Sequence, residues 1–210
     1  MPDEQKTTIG FLKKEYAGIS KAFGDLYNVI LKVFNFYLLL TAVPFTVAAI
    51  IFKSQESKLD LLNLPFSMSA LLLLVSFLGL LTTFSMIHLR LEQILYAKTI
   101  NCIRRFFWEI GVSVEKKIDG CLSLPITDEL PPFLELWRSF FWQITLIGLI
   151  DGIYMCVALV NLTRLLLCSV ILLGSAFFLF HIGAYVWGAM FRKKGYKVKC
   201  PAVPGRVENY

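Results

Sequence analysis

Ser67-Met-Ser-Ala-Leu-Leu-Leu-Leu-Val-Ser-Phe-Leu-Gly-Leu-Leu-Thr-Thr-Phe-Ser-Met-Ile-His-Leu89 carries no Asp, Glu, Lys or Arg. It runs on, without a proline, into Arg90-Leu-Glu-Gln-Ile-Leu-Tyr-Ala-Lys-Thr-Ile-Asn-Cys-Ile-Arg-Arg-Phe-Phe-Trp108. At ~1.5 Å rise per residue the first half is roughly 35 Å long as a helix, enough to cross a ~30 Å hydrocarbon core with some tilt. The second half is basic and aromatic. One helix over Ser67 to Gly111 is therefore predicted to pass from membrane into water.

Composition agrees with that reading. The 210 residues are 57% hydrophobic with a mean hydropathy of +0.66, against ~45–50% apolar residues in soluble domains. The chain reads as an integral membrane protein of the all-α class. Met1 to Ala22 alternates charged and apolar residues, so no removable targeting segment is expected. Five scattered cysteines, Cys102, Cys121, Cys156, Cys168 and Cys200, form no Cys-x-x-Cys pair and read as reduced thiols, with no metal site.

Working outward, four spans emerge. Residues 1–32 carry apolar positions at near-helical spacing and read as a cytosolic amphipathic helix leading into the membrane. Residues 33–89 hold transmembrane helices 1 and 2, and Pro44 is expected to kink the first or to leave a backbone carbonyl open to another partner. Residues 90–138 form a cytosolic cap segment broken by Gly120, Pro125, Pro131 and Pro132. Residues 139–191 hold transmembrane helices 3 and 4, joined in a tight hairpin, and 192–210 form a basic cytosolic tail. Eighteen Lys and Arg fall before the first span, in the cap or in the tail, against three in the two opposite loops. That bias puts both termini in the cytosol. Tyr37, Trp137, Trp142 and Trp187 lie near span ends, as interfacial aromatics do.

Three groups of residues stand out. Past Arg90, Lys98, Asn101, Arg104, Arg105 and Trp108 share one helix side, and Tyr96, Ile100, Ile103, Phe107 and Ile110 the other. Guanidiniums beside an indole suit an anionic ligand with stackable bases, a nucleotide or a single-stranded oligonucleotide; contact with lipid headgroups is the plainer alternative. Within the second span, Ser69, Leu72, Ser76, Gly79 and Thr83 form a stripe that continues to Arg90. Small hydroxyl residues with one leucine line a narrow pore in a ring-shaped homo-oligomer, or simply let helices approach closely.

The third group is a single anomaly and its neighbours. Asp151 lies mid-span, where a carboxylate costs ~2.5–3.5 kcal/mol on insertion scales, so it should be paired, protonated or facing water. Gln143, Tyr154 and Asn161 fall on its side, and Gly148 and Gly152 make a Gly-x-x-x-Gly face beside it. His181 in the fourth span is one candidate partner. Ion conduction, gating or proton sensing is one reading of the pair, and a structural hydrogen bond is the other. Asn161-Leu-Thr163 matches a glycosylation sequon but sits in a hairpin at the membrane. No phosphate loop, His-Glu-x-x-His, nucleophile elbow or Ser/His/Asp set occurs, so no enzyme activity and no cofactor are expected.

The leader Ile9-Gly-Phe-Leu-Lys-Lys-Glu-Tyr16 and the segment Leu95-Tyr-Ala-Lys-Thr-Ile-Asn-Cys-Ile-Arg-Arg-Phe-Phe107, set in this four-span plan, resemble small bacterial membrane effectors of anti-phage defence, in particular the channel effectors of the Hailong system. The resemblance implies an oligomeric ion channel in the bacterial inner membrane, held closed by a single-stranded oligodeoxyadenylate made by a partner nucleotidyltransferase. Two other readings come from the residues alone: a non-conducting membrane scaffold for a cytosolic partner, and a proton-coupled transporter that works through Asp151.

Overall fold

The computed structural model describes residues 3–55, 64–112, 139–163 and 167–195. They form α1 (Asp3–Gln55), α2 (Phe66–Val112), α3 (Ser139–Thr163) and α4 (Leu167–Gly195), with no strand among the described residues. All four helices are long and apolar enough to cross a membrane. Each helix carries one of the four apolar runs, and α1 and α2 extend well beyond theirs. Helix α2 continues without a break past Arg90. Helix α1 joins the leader and the first span in one rod of 53 residues. The hairpin at 164–166, most of the cap segment and the tail beyond Gly195 lie outside the described residues.

The chain divides into two compact units, one of residues 29–89 and 134–194, the other of 1–28, 90–133 and 195–210. In the first, the usual placement of polar and apolar side chains is reversed. Thr41, Ser69, Ser76, Thr83, Asp151 and His181 are buried, while Leu39 and Leu172 are each 70% exposed and Phe36 67%. Apolar surface on that scale is unstable in water and stable in hydrocarbon. The interior between the helices is filled by Leu64, Met68, Leu72, Val75, Tyr154 and Ala158. Edge-to-face aromatic pairs, Phe77 with Phe177 and Phe84 with Phe180, tie α2 to α4.

Where α2 starts has a local cause. The Pro65 carbonyl accepts the N–H groups of Met68 (3.0 Å) and Ser69 (3.1 Å), and the Leu64 N–H donates to Asn161 Oδ1 at 2.8 Å. Asn161 Nδ2 in turn donates to the Val157 carbonyl. The sequon asparagine thus ties the start of α2 to the end of α3. Asn161→Ala is expected to lower stability by about 1 kcal/mol, the usual net value of one hydrogen bond. A lowered thermal unfolding midpoint in detergent would register it, and an unchanged midpoint would show the contact to be dispensable.

Pro44 does not end α1. In the turn it disturbs, the Thr41 carbonyl accepts the Tyr154 hydroxyl at 2.6 Å, a donor from α3 supplied where the proline weakens intrahelical bonding.

The second unit holds the part of α2 that starts at Arg90. Along α2, burial centres on Gln93, Ile94, Cys102, Ile103 and Phe106. Tyr96, on the apolar side of the helix, is 37% exposed: a projection orders side chains around a helix without saying which arc a neighbour covers. Arg90 Nη1 donates to Gln93 Oε1. Cys102 is disulfide-bonded, whereas Cys156 and Cys168 are free thiols. The expectation of reduced thiols therefore fails at Cys102, since spacing in the chain does not reveal which cysteines a fold brings together. Cys121 and Cys200 lie outside the described residues.

Candidate functional site

Asp151, His181 and Tyr37 are each fully buried, and they meet. Tyr37 Oη on α1 donates to Asp151 Oδ1 at 2.7 Å, with the Ile147 carbonyl as a second, more distant acceptor at 3.4 Å. His181 Nε2 on α4 lies 3.0 Å from Asp151 Oδ2. Helix α2 contributes Ser76, whose hydroxyl oxygen lies 3.1 Å from the backbone carbonyl oxygens of both Leu72 and Asp151, either of which can accept its proton. All four helices of this unit therefore meet at Asp151, whose carboxyl group is bonded by Tyr37 and His181 and whose backbone carbonyl is bonded by Ser76.

Glycines make that convergence fit. A Cβ on Gly79 would fall on the Asp151 carboxyl, so α2 can lie against the carboxyl only because position 79 has no side chain. On the other side, a Cβ on Gly148 would come within 3.0 Å of His181 Cβ, and one on Gly152 within 3.1 Å of the Gly174 carbonyl. The Gly-x-x-x-Gly face of α3 thus receives α4, as small residues do between membrane helices.

The hydrogen bonds also fix how many protons the pair holds. His181 Nδ1 sits 2.9 Å from the Phe177 carbonyl. A carbonyl only accepts, so Nδ1 bears a proton. The Nε2–Oδ2 contact then contains one proton, on nitrogen as an imidazolium facing a carboxylate, or on oxygen as a carboxylic acid donating to a neutral imidazole. Either arrangement is neutral overall. A neutral pair avoids the cost of a lone charge in a dry interior.

The predicted site residues fall into two sets. Asp151 and His181 are in contact, and Ser69, Leu72, Ser76, Gly79 and Thr83 are all buried on the inner side of α2. Within the chain, Ser76 and Gly79 of this stripe lie against Asp151 and let α2 approach α3 closely. Lys98, Asn101, Arg104 and Arg105 are half-buried along α2 in the other unit, and the Trp108 side chain lies outside the described residues. Arg90 is half-buried. Among the described residues, no group of three His, Cys, Asp or Glu side chains could hold a metal ion.

Tyr37 is the residue that sequence reading misplaced. Counted as an interfacial aromatic, it is fully buried with its hydroxyl on Asp151. The available signal was the spacing of Tyr37, Thr41 and Pro44, which puts a phenol, a hydroxyl and a proline on one face of an apolar helix. All three are buried.

Fold and site together define an all-helical protein with four helices able to span a membrane and an ionisable cluster buried among them. Comparison with protein-family models, curated proteins and solved structures finds no match.

Proposed function

We propose that the chain is the subunit of a homo-oligomeric bacterial membrane channel of the effector type, whose closed and open packings differ at the Asp151 cluster. The observation that carries this reading is a carboxyl group, fully buried, bonded to α1 and α4 and pressed against α2. Ionisable groups at membrane depth mark ion or proton pathways far more often than they serve packing. A cluster that gathers four helices gives two packings a single point at which to differ. The ligand is an anionic nucleotide or single-stranded oligonucleotide held by Lys98, Asn101, Arg104 and Arg105, with Trp108 offering a stacking surface; a partner nucleotidyltransferase supplies it. The cytosol holds this basic segment and both termini.

The full chain in liposomes tests this directly. Ion flux is expected to change when an oligodeoxyadenylate is added or removed, whereas a membrane scaffold leaves permeability at background in both conditions. Reversing the charge of Arg104 and Arg105 together should weaken oligonucleotide binding by about tenfold or more, since each charge-assisted hydrogen bond contributes ~1.5–3 kcal/mol, while the oligomer stays intact. Unchanged binding would rule out the basic face as the ligand site. The single shared proton of Asp151 and His181 favours a second reading, a proton-coupled transporter. Under it, flux follows a pH gradient and Asp151→Asn abolishes it.

A further inference from the structure

Hydroxyl groups in the apolar helices satisfy themselves in one recurrent way. Thr46, Ser76, Thr82, Ser85, Thr99, Thr145 and Thr163 each donate to the carbonyl four residues earlier. Thr41 donates three residues back instead, to the Leu38 carbonyl, and two fully buried hydroxyls, Ser69 Oγ and Thr83 Oγ1, have no hydrogen-bond partner. Ser69 has a local explanation: the carbonyl four residues back, that of Pro65, already accepts two N–H groups in the first turn of α2. Thr83 lies mid-helix, and its hydroxyl does not donate to the carbonyl four residues back, that of Gly79.

That position places Thr83 beside the cluster. Residues four apart share a helix face, and the Gly79 position is in contact with the Asp151 carboxyl. One turn separates Thr83 from Gly79, about 6 Å along the axis. A water making two hydrogen bonds of ~2.8 Å joins polar atoms up to about 5.6 Å apart, a reach of the order of one helical turn. Ser69 is ten residues from Gly79, about 15 Å along the axis and out of reach of a single water.

We infer that Thr83 holds a buried water that carries protons to and from the Asp151–His181 pair, and that the pair is therefore reached from the Thr83 side of α2 and not from the Ser69 side. The ligand is water and its transferable proton. In the uptake step a hydronium ion returns to water as its proton adds to the neutral pair, giving a carboxylic acid beside an imidazolium; release is the reverse. The other groups facing the pair are Tyr37 from α1 and Tyr154 on α3, while α2 presents Ser76, Gly79 and Thr83, none of which titrates. Beyond Thr83 the inner face of α2 carries Met86, fully buried. Its flexible thioether makes access intermittent. This inference rests on the pair being a working proton site as proposed above.

The chain has two histidines, so NMR of the full chain with 15N-labelled histidine in detergent micelles resolves the imidazole of His181 beside that of exposed His88. Hydrogen exchange of the His181 ring with water is the readout, and it does not depend on flux. The expected result is exchange in the wild type, about tenfold or more slower in Thr83→Val, where only rare opening of the fold exposes the ring. Thr83→Ser, which keeps the hydroxyl, should exchange like the wild type, and so should Ser69→Val. Equal rates in wild type and Thr83→Val would overturn the inference, as would a Ser69→Val variant slowed as much as Thr83→Val. If exchange depends on Thr83 but liposomes show no flux, the water site stands and the channel reading fails.

Discussion

Asp151→Ala lowers the free energy of unfolding in detergent by about 2–4 kcal/mol, whereas Asp151→Asn stays within about 1 kcal/mol of the wild type. Alanine leaves His181 Nε2 and the Tyr37 hydroxyl facing an apolar space, and an unsatisfied buried polar group costs ~1–3 kcal/mol. The two costs are unequal. Tyr37 has a second acceptor in the Ile147 carbonyl at 3.4 Å, so its share falls at the low end and His181 carries most of the loss. The total is limited because helices unfolded within detergent find other partners; interhelical hydrogen bonds in membranes average ~0.6 kcal/mol when measured by double-mutant cycles.

Asparagine keeps the frame for a specific reason. Its side-chain oxygen accepts from Tyr37, and its amide donates to His181 Nε2 once that nitrogen is the unprotonated one. The Nδ1–H bond to the Phe177 carbonyl selects this tautomer. Asp151→Asn thus preserves the hydrogen bonds while removing the proton that the pair holds. Equilibrium unfolding separates the two variants, and an asparagine variant as damaged as the alanine one would show that charge, not hydrogen-bond geometry, holds the four helices together.

The fold was legible because hydrocarbon demands long apolar helices, and uninterrupted runs of 20 residues or so have few other structures open to them. Asp151 and His181 were legible because a charge-bearing group at such depth needs a partner, and each was conspicuous in its span. Tyr37 was hidden for the opposite reason. Tyrosine is common near membrane interfaces, so its position alone did not distinguish a lipid-facing ring from one turned inward; only the packing of α1 against α3 does. The stripe on α2 was legible as a stripe, but its direction was not. Whether small residues face a pore or a neighbouring helix depends on contacts distant in sequence, here between Gly79 and Asp151, 72 positions apart. The basic face after Arg90 follows from helical spacing alone.

Gly79→Ala is expected to be among the most damaging single-methyl additions in the chain. Alanine is the better helix former by ~1 kcal/mol, so propensity alone predicts stabilisation. Gly183→Ala isolates that term, since a Cβ there meets nothing within 4 Å, and it should be neutral or slightly stabilising. At position 79 the new methyl falls on the Asp151 carboxyl, and two things are lost together. Overpacking a tight interior costs ~1–3 kcal/mol, and a displaced carboxyl weakens its bonds to Tyr37 and His181. Gly79→Ala should therefore lie at least about 2 kcal/mol below Gly183→Ala in unfolding free energy. The double variant Gly79→Ala, Asp151→Ala decides whether the carboxyl is the obstacle. With no carboxyl at 151 the methyl has room, so the two changes should be non-additive by about 1 kcal/mol or more in the favourable direction. Strict additivity would mean that α2 is held off by something other than Asp151, and the glycine would then have no special relation to the cluster.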